Sequence, residues 1–382
     1  MKRIQQLPIV ILFLGCVACS RSQSQAPPQI EPVELQLQVS ARFHFVAYGD
    51  SRFHDPKDTE AANPPVRRQL VQAIAQTNPA FVALTGDIVY NGYDKDDWKV
   101  WDSETAVWRA KKIPVCPALG NHDLHGDEKI ALANYFERFP DLKNSLYYSV
   151  RAANTLMLVL DSSLDETAGP QGQWLTRKLD HIPGDVDFVF IVLHHPPYTS
   201  SSDAKKFGGG HSVRSHEQEL AKTLEGRQQN LRARIVVFSG HVHNYERHEH
   251  GGVTYIVTGG AGAHAYPIER AADDPFQSKD VNYHYLLVEV DRGNLKITMR
   301  RLDLTSGTAV WTQPDSVAIS VPAALASIAD YIERAVPRQT SGMRGVLSLF
   351  AMRISSLLTS ERSAETRLSI IQATLRSVSP YS

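Results

Sequence analysis

Five short polar motifs occur along this chain, and each directly follows an apolar segment that reads as a buried strand. The motifs are Gly49-Asp50, Gly86-Asp87 with Tyr90, Gly120-Asn121-His122-Asp123, His194-His195 and Gly240-His241-Val242-His243. The preceding segments are Phe43–Tyr48, Ala80–Thr85, Ile113–Leu119, Asp187–Leu193 and Arg234–Ser239. Parallel strands bring their carboxyl ends to one edge of a sheet, where ligands bind. The pattern therefore predicts that Asp, Asn and His side chains converge in one metal-binding pocket.

Helical patterns alternate with these strands, and the alternation predicts an α/β fold. Helical spacing occurs at Val66–Gln76, Asp127–Phe139, Gly172–His181 and His216–Leu224. Further strands are expected at Thr155–Leu160, Val253–Thr258, Tyr285–Val290 and Leu295–Arg301. With 382 residues, of which 42% are hydrophobic, the chain can bury a large core. We predict a two-sheet αββα sandwich, in which two sheets pack face to face and helices cover their outer faces.

Charge and cysteine content argue against two other classes of protein. A formal net charge of −1 gives no positive field, so nucleic acid is not expected as a partner. Three cysteines, two of them among the first 19 residues, cannot form a disulfide framework. We expect Cys116 to be a buried thiol. Trp98, Trp101 and Trp108, which recur at helical spacing, are expected to pack in the core.

The first 19 residues have the pattern of an export signal. Lys2 and Arg3 precede the apolar stretch Leu7–Ala18, which is too short to span a bilayer as an ordinary helix. The segment resembles a bacterial lipoprotein signal in which Cys16 or Cys19 is lipidated, and Cys19 is favoured. The prediction is export to the bacterial cell envelope, either lipid-anchored to the membrane or periplasmic. An ordinary cleaved signal peptide is the alternative.

Composition divides the rest of the chain into three parts. Residues 20–40 begin with a stretch rich in Ser, Gln and Pro and are predicted to be a flexible linker. Residues 41–304 contain the polar motifs and form the predicted domain. Residues 321–382 are predicted to be a helical C-terminal extension. That extension is either a helical tail packed on the domain or on a partner, or an amphipathic helix at a membrane surface.

Several of the polar residues suit a site for two metal ions. Asp87 is the natural bridging carboxylate, because two cations about 3.5–4 Å apart need a shared anionic ligand. Asn121 offers a neutral amide oxygen, and His194 follows the apolar run of a strand. His241 and His243 share a face on a strand, or reach two metals from a loop. Each residue alone can be explained as a cap or a turn residue, but the set favours a metal site.

The motifs resemble those of the calcineurin-like metallophosphoesterases, and most closely those of their purple acid phosphatase-like branch. Gly86–Tyr90 is similar to that branch's Gly-Asp-x-x-Tyr motif, and Gly240–Arg247 is similar to its final histidine motif. The resemblance extends from Phe43 to Gly262. It implies the metallophosphoesterase fold, which is an αββα sandwich, and a binuclear metal centre that hydrolyses phosphate esters.

One motif departs from the superfamily pattern. Most members have Asp-x-His at the first motif, whereas this chain has Asp50-Ser51-Arg52. In the purple acid phosphatases a tyrosine replaces that histidine as a ligand, and Tyr90 stands at its position. The alternatives are that Tyr90 is only a packed aromatic, or that His54 is a fallback ligand. The ligands implied are Asp50, Asp87, Tyr90 and His243 for one ion, and Asp87, Asn121, His194 and His241 for the other.

The resemblance also implies the metals and the reaction. A phenolate ligand favours a trivalent ion, so Fe(III) with Zn, Mn or Fe(II) is expected. Oxygen and nitrogen ligands by themselves also allow Mn/Mn or Zn/Zn. A metal-activated hydroxide would attack phosphorus in line, in a small phosphorylated substrate.

Further polar residues are expected to act on the substrate or to orient groups that do. The resemblance places His122 beside the phosphate or the leaving oxygen, with Asp123 holding its ring in orientation. Arg52 can bind a pair of phosphate oxygens, although a surface salt bridge fits its position nearly as well. His211, in a glycine-rich loop, resembles the position from which related enzymes offer a histidine to the leaving group. His195 directly follows the ligand His194. Its side chain is expected to point away from the metals and to support a ligand without binding a metal itself.

Two alternatives to a phosphatase stay open. A phosphodiesterase or nucleotidase would use the same metal site, because specificity lies in the loops of such a fold. A non-catalytic envelope binding protein would keep the fold without turnover. Loss of ligands would indicate that protein, and the ligand set here is complete.

Overall fold

The computed structural model describes residues 32–201 and 211–321. In these residues two seven-stranded sheets are accompanied by six α-helices. Numbered in chain order, the strands are β1 (Glu34–Leu37), β2 (Arg42–Tyr48), β3 (Val82–Leu84), β4 (Val115–Pro117), β5 (Tyr148–Ala152), β6 (Thr155–Val159), β7 (Phe188–Val192), β8 (Arg234–Ser239), β9 (Tyr245–His250), β10 (Val253–Thr258), β11 (Tyr283–Asp291), β12 (Asn294–Asp303), β13 (Val310–Thr312) and β14 (Ser316–Ser320). The helices are α1 (Pro64–Thr77), α2 (Lys95–Glu104), α3 (Ala106–Ala110), α4 (Glu128–Arg138), α5 (Gly169–Asp180) and α6 (Ser215–Gln228).

The strand order places the strands that precede the polar motifs side by side. One sheet has the order β1-β5-β6-β7-β8-β10-β9, and the other β13-β12-β11-β2-β3-β4 with β14 paired to β12. The strands β2, β3 and β4 are mutually parallel, and so are β6, β7, β8 and β10. The predicted two-sheet α/β fold is therefore confirmed.

Aromatic side chains fix the two sheets against each other. Phe45 of β2 stacks on Phe81 with ring centroids 4.6 Å apart. From the facing sheet, Phe190 of β7 and Phe238 of β8 meet Phe45 edge-on at 5.1 and 6.2 Å. Such pairs contribute about 0.5–1.5 kcal/mol each beyond the area they bury. These contacts hold the ends of β2, β7 and β8 in a fixed relation.

Helices cover the other face of the first sheet. On β7, Phe190 faces the core between the sheets, whereas Val189 and Ile191 face the opposite way. The outward pair packs with Trp174 of α5 and Leu220 of α6. Because both faces of β7 are buried, its sequence is continuously apolar and does not alternate.

The tryptophans of α2 and α3 are buried beside α1 and the second sheet. The indole nitrogen of Trp108 donates a hydrogen bond to the carbonyl oxygen of Val71 in α1 at 3.0 Å. Trp98 and Trp101 are also buried, as is the thiol of Cys116. The predicted core positions of these residues are confirmed.

The predicted boundaries of the domain, 41 and 304, are wrong at both ends. Glu34–Leu37 lies in the predicted linker 20–40, yet it forms β1 and pairs in parallel with β5. Beyond residue 304, β13 and β14 extend the second sheet along β12. These strands are short and lie at sheet edges, so their apolar periodicity is too brief to separate them from loops.

Other predictions concern residues outside the described ranges. They include the signal over residues 1–19 with its two cysteines, and the helical extension over 321–382 apart from Val321 itself. Export, the lipid anchor and the helical tail therefore stay predictions. Among the described helices, none has the length and apolar character needed to cross a membrane.

Candidate metal centre

The carboxyl ends of five strands, three from one sheet and two from the other, converge at one edge of the sandwich. Asp50 follows β2, Asp87 follows β3 and Asn121 follows β4. His194 and His241 follow β7 and β8 of the facing sheet. All of these side chains except Asn121 belong to buried residues. The structure thus brings residues that are 191 positions apart in sequence into one polar site, as the hydrogen bond between Asp50 and His241 illustrates.

The backbone adopts a left-handed conformation at three of these positions. The φ angle is 62° at Asp50, 50° at Asp87 and 70° at His241. This conformation costs a non-glycine residue about 1–3 kcal/mol and is typical of functional sites. The amide of Asp50 donates to the carbonyl of Gly86 at 3.0 Å, and the amide of His241 donates to the Asp50 carboxylate at 2.9 Å. These two bonds hold Asp50 and His241 in place, and the amide of Arg52 donates to the carbonyl of Asp87 at 3.0 Å.

Glycines allow the backbone to approach the acidic ligands closely. A Cβ atom on Gly120 would lie 2.2 Å from the amide nitrogen of Asp87 and 2.3 Å from its Oδ1. A Cβ atom on Gly240 would lie 2.4 Å from Oδ2 of Asp50. The two motif glycines therefore leave the space that the carboxylates occupy.

One group of potential ligands consists of Asp50, Asp87 and His243, whose ligand atoms all lie within 4.8 Å of one another. Nε2 of His243 is 3.6 Å from Oδ1 of Asp50. The Nδ1 atom of the same ring is 2.9 Å from the carbonyl oxygen of His264, to which it donates. That bond leaves Nε2 as a lone-pair donor. Since Nε2 is buried without a hydrogen-bond partner among the described residues, this group suits a cation.

A second group of ligand atoms surrounds His194. Its Nδ1 donates to the carbonyl oxygen of Thr85 at 2.9 Å, which directs Nε2 into the site. Nε2 lies 3.0 Å from Oδ1 of Asn121 and 3.4 Å from Oδ1 of Asp87. Nδ1 of His241 is 3.1 Å from the same Nε2. Two imidazoles, an amide oxygen and a carboxylate thus meet at this position.

The two buried carboxylates have opposite pKa shifts. Burial, and then the charge of the neighbouring Asp87, raise the pKa of Asp50 well above its usual range. Burial also acts to raise the pKa of Asp87, but His194, His122 and Arg52 outweigh it and hold that pKa well below its usual range. A cation beside both carboxylates would favour the ionised form of each.

Tyr90 lies beside the site, between two histidine rings. Its ring centroid is 5.0 Å from that of His54 and 5.2 Å from that of His122. Nδ1 of His122 lies 2.8 Å from the carbonyl oxygen of Tyr90, and the amide of His122 donates to Oδ1 of Asp87 at 2.9 Å. Metal ligation by Tyr90 stays a prediction.

The expectation that Asp123 orients the His122 ring is wrong. The carboxylate of Asp123 is buried and accepts three main-chain hydrogen bonds, whereas the His122 ring is held by the carbonyl of Tyr90. The three donors are the amides of Ile88, Val89 and Gly120, at 2.9, 3.1 and 2.9 Å. Burial, and then the charge of Asp87, raise the pKa of Asp123 to about 8. Asp123 therefore links the backbones of the second and third motifs.

Arg52 and His54 both have carboxylate partners. The Arg52 guanidinium contacts Oδ2 of Asp87 through Nη2 at 3.1 Å and Nε at 3.3 Å, so its ion pair lies within the site and not on the surface. Nδ1 of His54 is 2.5 Å from Asp97, and its Nε2 is 3.2 Å from Asp58. Because both nitrogens of His54 face these carboxylates, its fallback role as a metal ligand is wrong.

His195 does not point away from the site, which corrects the sequence-based expectation. Its ring centroid is 4.3 Å from that of His241, and its ligand atom lies within 4.8 Å of those of His194 and His241. Nδ1 of His195 is 2.8 Å from Oγ of Ser162. Burial, and then the neighbouring His194 and His241, lower the pKa of His195 far below its usual range. A neutral third imidazole therefore lies at the second group of ligands.

His211 is placed next to the metal-site histidines, and Tyr266 holds it there. The His211 ring lies 4.8 Å from His241 and 5.6 Å from His243. The Tyr266 hydroxyl is 2.7 Å from Nδ1 of His211 and accepts a hydrogen bond from the amide of His243 at 3.3 Å. Sequence reasoning missed Tyr266, and its position shortly after the glycine-rich turn 259–262 was the only signal for it.

Comparison with known protein families agrees with this geometry. The calcineurin-like phosphoesterase family matches residues 44–245, which is more than half of the chain. The chain therefore belongs to the calcineurin-like phosphoesterase family.

Individual relatives are distant. Purple acid phosphatase 15 of Arabidopsis thaliana is 24% identical over 245 residues, covering 54% of this chain and 44% of that protein. A purple acid phosphatase from yellow lupin (Lupinus luteus) seeds has a TM-score of 0.57 at 17% identity, covering 74% of this chain and 54% of the other. GAP50, the anchor in the inner membrane complex of Plasmodium, has a TM-score of 0.51 at 15% identity, covering 74% and 89%. These structural likenesses show the fold, and the chain spans less than half the length of the curated relatives it matches.

Gly120→Ala tests whether the close approach at Asp87 is needed for the centre. The added methyl group would overlap the Asp87 amide and carboxylate, so one of them must move. Overpacking of this kind costs about 1–3 kcal/mol. We expect a lower free energy of unfolding, measured by chemical denaturation, and less bound metal per chain, measured by elemental analysis.

Gly184→Ala is the matched control, because a Cβ atom there meets no other atom within 4 Å. It should keep the metal content and the stability of the wild type. Wild-type metal content in Gly120→Ala would contradict the claim that this contact shapes the site.

Proposed function

We propose that this protein is a binuclear metal-dependent phosphatase. The observation that carries the proposal is the position of Asp87, a buried carboxylate shared by both groups of ligand atoms. It belongs to one group with Asp50 and His243, and its Oδ1 lies 3.4 Å from Nε2 of His194 in the other. A shared carboxylate is what two cations at close range require.

The proposed ligands follow from the two groups. They are Asp50, Asp87, Tyr90 and His243 for one ion, and Asp87, Asn121, His194 and His241 for the other, with His195 beside the second. When bound, the ions would supply positive charge that activates water and stabilises the phosphoryl oxygens. Two features support this fit: the pair of buried carboxylates, whose charge Arg52 compensates only in part, and Nε2 of His243, which has no hydrogen-bond partner among the described residues.

The remaining residues of the site would bind the substrate. The Arg52 guanidinium lies against Asp87, where it can also reach an oxygen of a bound phosphate, and its fork geometry suits such a contact. Nδ1 of His122 donates a hydrogen bond to the carbonyl oxygen of Tyr90, which leaves Nε2 of the same ring available for the substrate. We infer that Nε2 of His122 contacts the phosphate or passes a proton to the leaving oxygen.

A second imidazole is available for the leaving group. His211 lies beside His241 and His243, and Tyr266 anchors its Nδ1. We infer that Tyr266 positions His211, so that the imidazole can hold a proton near the leaving oxygen.

The metal pair depends on Tyr90. As a phenolate ligand, Tyr90 would favour Fe(III) with Zn, Mn or Fe(II) at the other position. Without its oxygen, the remaining ligands suit Mn/Mn or Zn/Zn. The departure from Asp-x-His at Asp50-Ser51-Arg52, together with the position of Tyr90 next to His122, supports the iron-containing pair.

A non-catalytic role is the competing function, since the fold also occurs in a protein described as an anchor. The convergence of six of the seven predicted ligands supports the enzyme instead. They are Asp50, Asp87, Asn121, His194, His241 and His243. Small phosphorylated molecules are the proposed substrates, and a panel that includes diesters separates a phosphatase from a phosphodiesterase.

Asp87→Asn tests the shared ligand. Removing the bridging charge should reduce kcat/KM for p-nitrophenyl phosphate and for bis-p-nitrophenyl phosphate by about a thousandfold or more, because loss of the metal-derived stabilisation costs several kcal/mol. Asp185→Asn, which replaces an exposed acid paired with Arg151, is the control. Full activity of folded Asp87→Asn would refute the two-metal proposal.

Tyr90→Phe tests the metal pair. An Fe(III)–tyrosinate site has a visible charge-transfer band, so the iron-loaded wild type should be coloured and the variant colourless. Tyr93→Phe, which alters an exposed tyrosine three positions away, should keep the band. A colourless, active, iron-loaded wild type would exclude Tyr90 as a ligand while leaving the phosphatase proposal intact.

A further inference from the structure

A separate group of potential metal ligands lies where the loop after β6 meets the start of α6. Asp165 and Glu166 come from the loop, and His216 comes from the first turn of the helix. One ligand atom from each of these residues lies within 4.8 Å of the other two. None of the three belongs to the centre described above.

Glu166 is the unusual member of this group. Its residue is 0% exposed, neither carboxylate oxygen accepts a hydrogen bond from the described residues, and the carboxylate in contact with it is that of Glu217. Buried carboxylates are normally paired or coordinate metals, because an isolated buried charge is strongly unfavourable. A buried carboxylate with a ligand atom within 4.8 Å of those of Asp165 and His216 therefore needs positive charge beside it.

The surrounding side chains supply that positive charge only in part, because one arginine lies beside two buried carboxylates. Glu217, also 0% exposed, is a second buried carboxylate beside Glu166. Arg214 is committed to Glu217, with its Nε 3.1 Å from both carboxylate oxygens. The guanidinium of Arg214 is thus the positive group beside two buried carboxylates. The negative charge of Glu166 must therefore be balanced by a proton or by a bound cation.

The outer side of the group is open to an ion from solvent. Oδ1 of Asp165 accepts hydrogen bonds from Thr167 and Ala168, while Oδ2 faces Nδ1 of His216 at 4.0 Å. The side chains of Asp165 and His216 are 41% and 46% exposed. The group therefore combines a buried acidic end with an accessible carboxylate and imidazole.

We propose that Asp165, Glu166 and His216 bind a divalent cation of the zinc or manganese class, at a site distinct from the binuclear centre. Two carboxylates with one imidazole are a ligand set that these ions accept. Glu217 pairs with Arg214, so the positive charge of the guanidinium does not oppose the binding of a cation.

The loop that would hold this cation also contacts His195 of the metal centre. Ser162 lies in the same loop, and its Oγ is 2.8 Å from Nδ1 of His195. The carbonyl oxygen of Ser162 accepts a hydrogen bond from Nη2 of Arg214 at 2.6 Å. A cation between the loop and α6 would therefore restrain the loop that holds His195. It would also fix the helix start that follows His211 in the chain.

Zinc counting tests the proposal. The full-length protein, dialysed against excess Zn²⁺ and then desalted, should hold one more zinc per chain than Glu166→Gln or His216→Ala. The same two substitutions should lower the thermal midpoint measured in zinc by about 5 °C, since a ligand that binds only the folded state raises that midpoint. Because the His216 side chain is half exposed, its alanine variant should fold even if Glu166→Gln does not.

Glu219→Gln is the matched control, because it removes an exposed acid of the same helix that pairs with Lys222. It should keep the wild-type zinc count and thermal midpoint. Equal zinc counts in the wild type, Glu166→Gln and His216→Ala would overturn the proposal and indicate that Glu166 and Glu217 share a proton.

Discussion

The site is organised around two carboxylates, Asp50 and Asp87, that are both fully buried and close enough to perturb each other's ionisation. In a protein interior such a pair is unfavourable unless positive charge lies beside it. Arg52 and the surrounding imidazoles supply part of that charge, and they lie around the same two side chains. Bound cations would supply the rest of the positive charge that the two carboxylates need.

Two features of the fold keep these charges in position. Phe45, Phe190 and Phe238 pack between the two sheets on strands whose ends carry the ligands, so that strand ends from both sheets have a fixed spacing. Left-handed backbone at Asp50 and Asp87 then turns each side chain into the pocket at a local cost. A rigid scaffold that tolerates strain at its ligands favours a preorganised binding site.

Much of the fold and most of the site could be predicted from the sequence, because parallel strands bring residues that follow them to one edge. Asp87, His194 and His241 were found in this way. The roles of residues next to these ligands in the sequence were harder to predict, since the direction of a side chain depends on partners that are remote in sequence. His195 turns inward to Ser162, and Asp123 turns to the main chain.

The same limit applies to the other departures. Tyr266 reaches the site from a loop without a distinctive motif, and its role is visible only from its contacts with His211 and His243. The strand Glu34–Leu37 is four residues long and lies at a sheet edge, where it gives almost no periodic signal. His54 was only a fallback ligand by its spacing, and Asp58 and Asp97 contact both of its nitrogens.

The central claim is that two metal ions share Asp87. Anomalous X-ray diffraction from crystals of the metal-loaded protein tests it most directly. We expect two anomalous peaks about 3.5–4 Å apart, one beside Asp50 and His243 and the other beside His194 and His241, with the Asp87 carboxylate between them. A single peak at this edge, or peaks that Asp87 does not contact, would contradict the account.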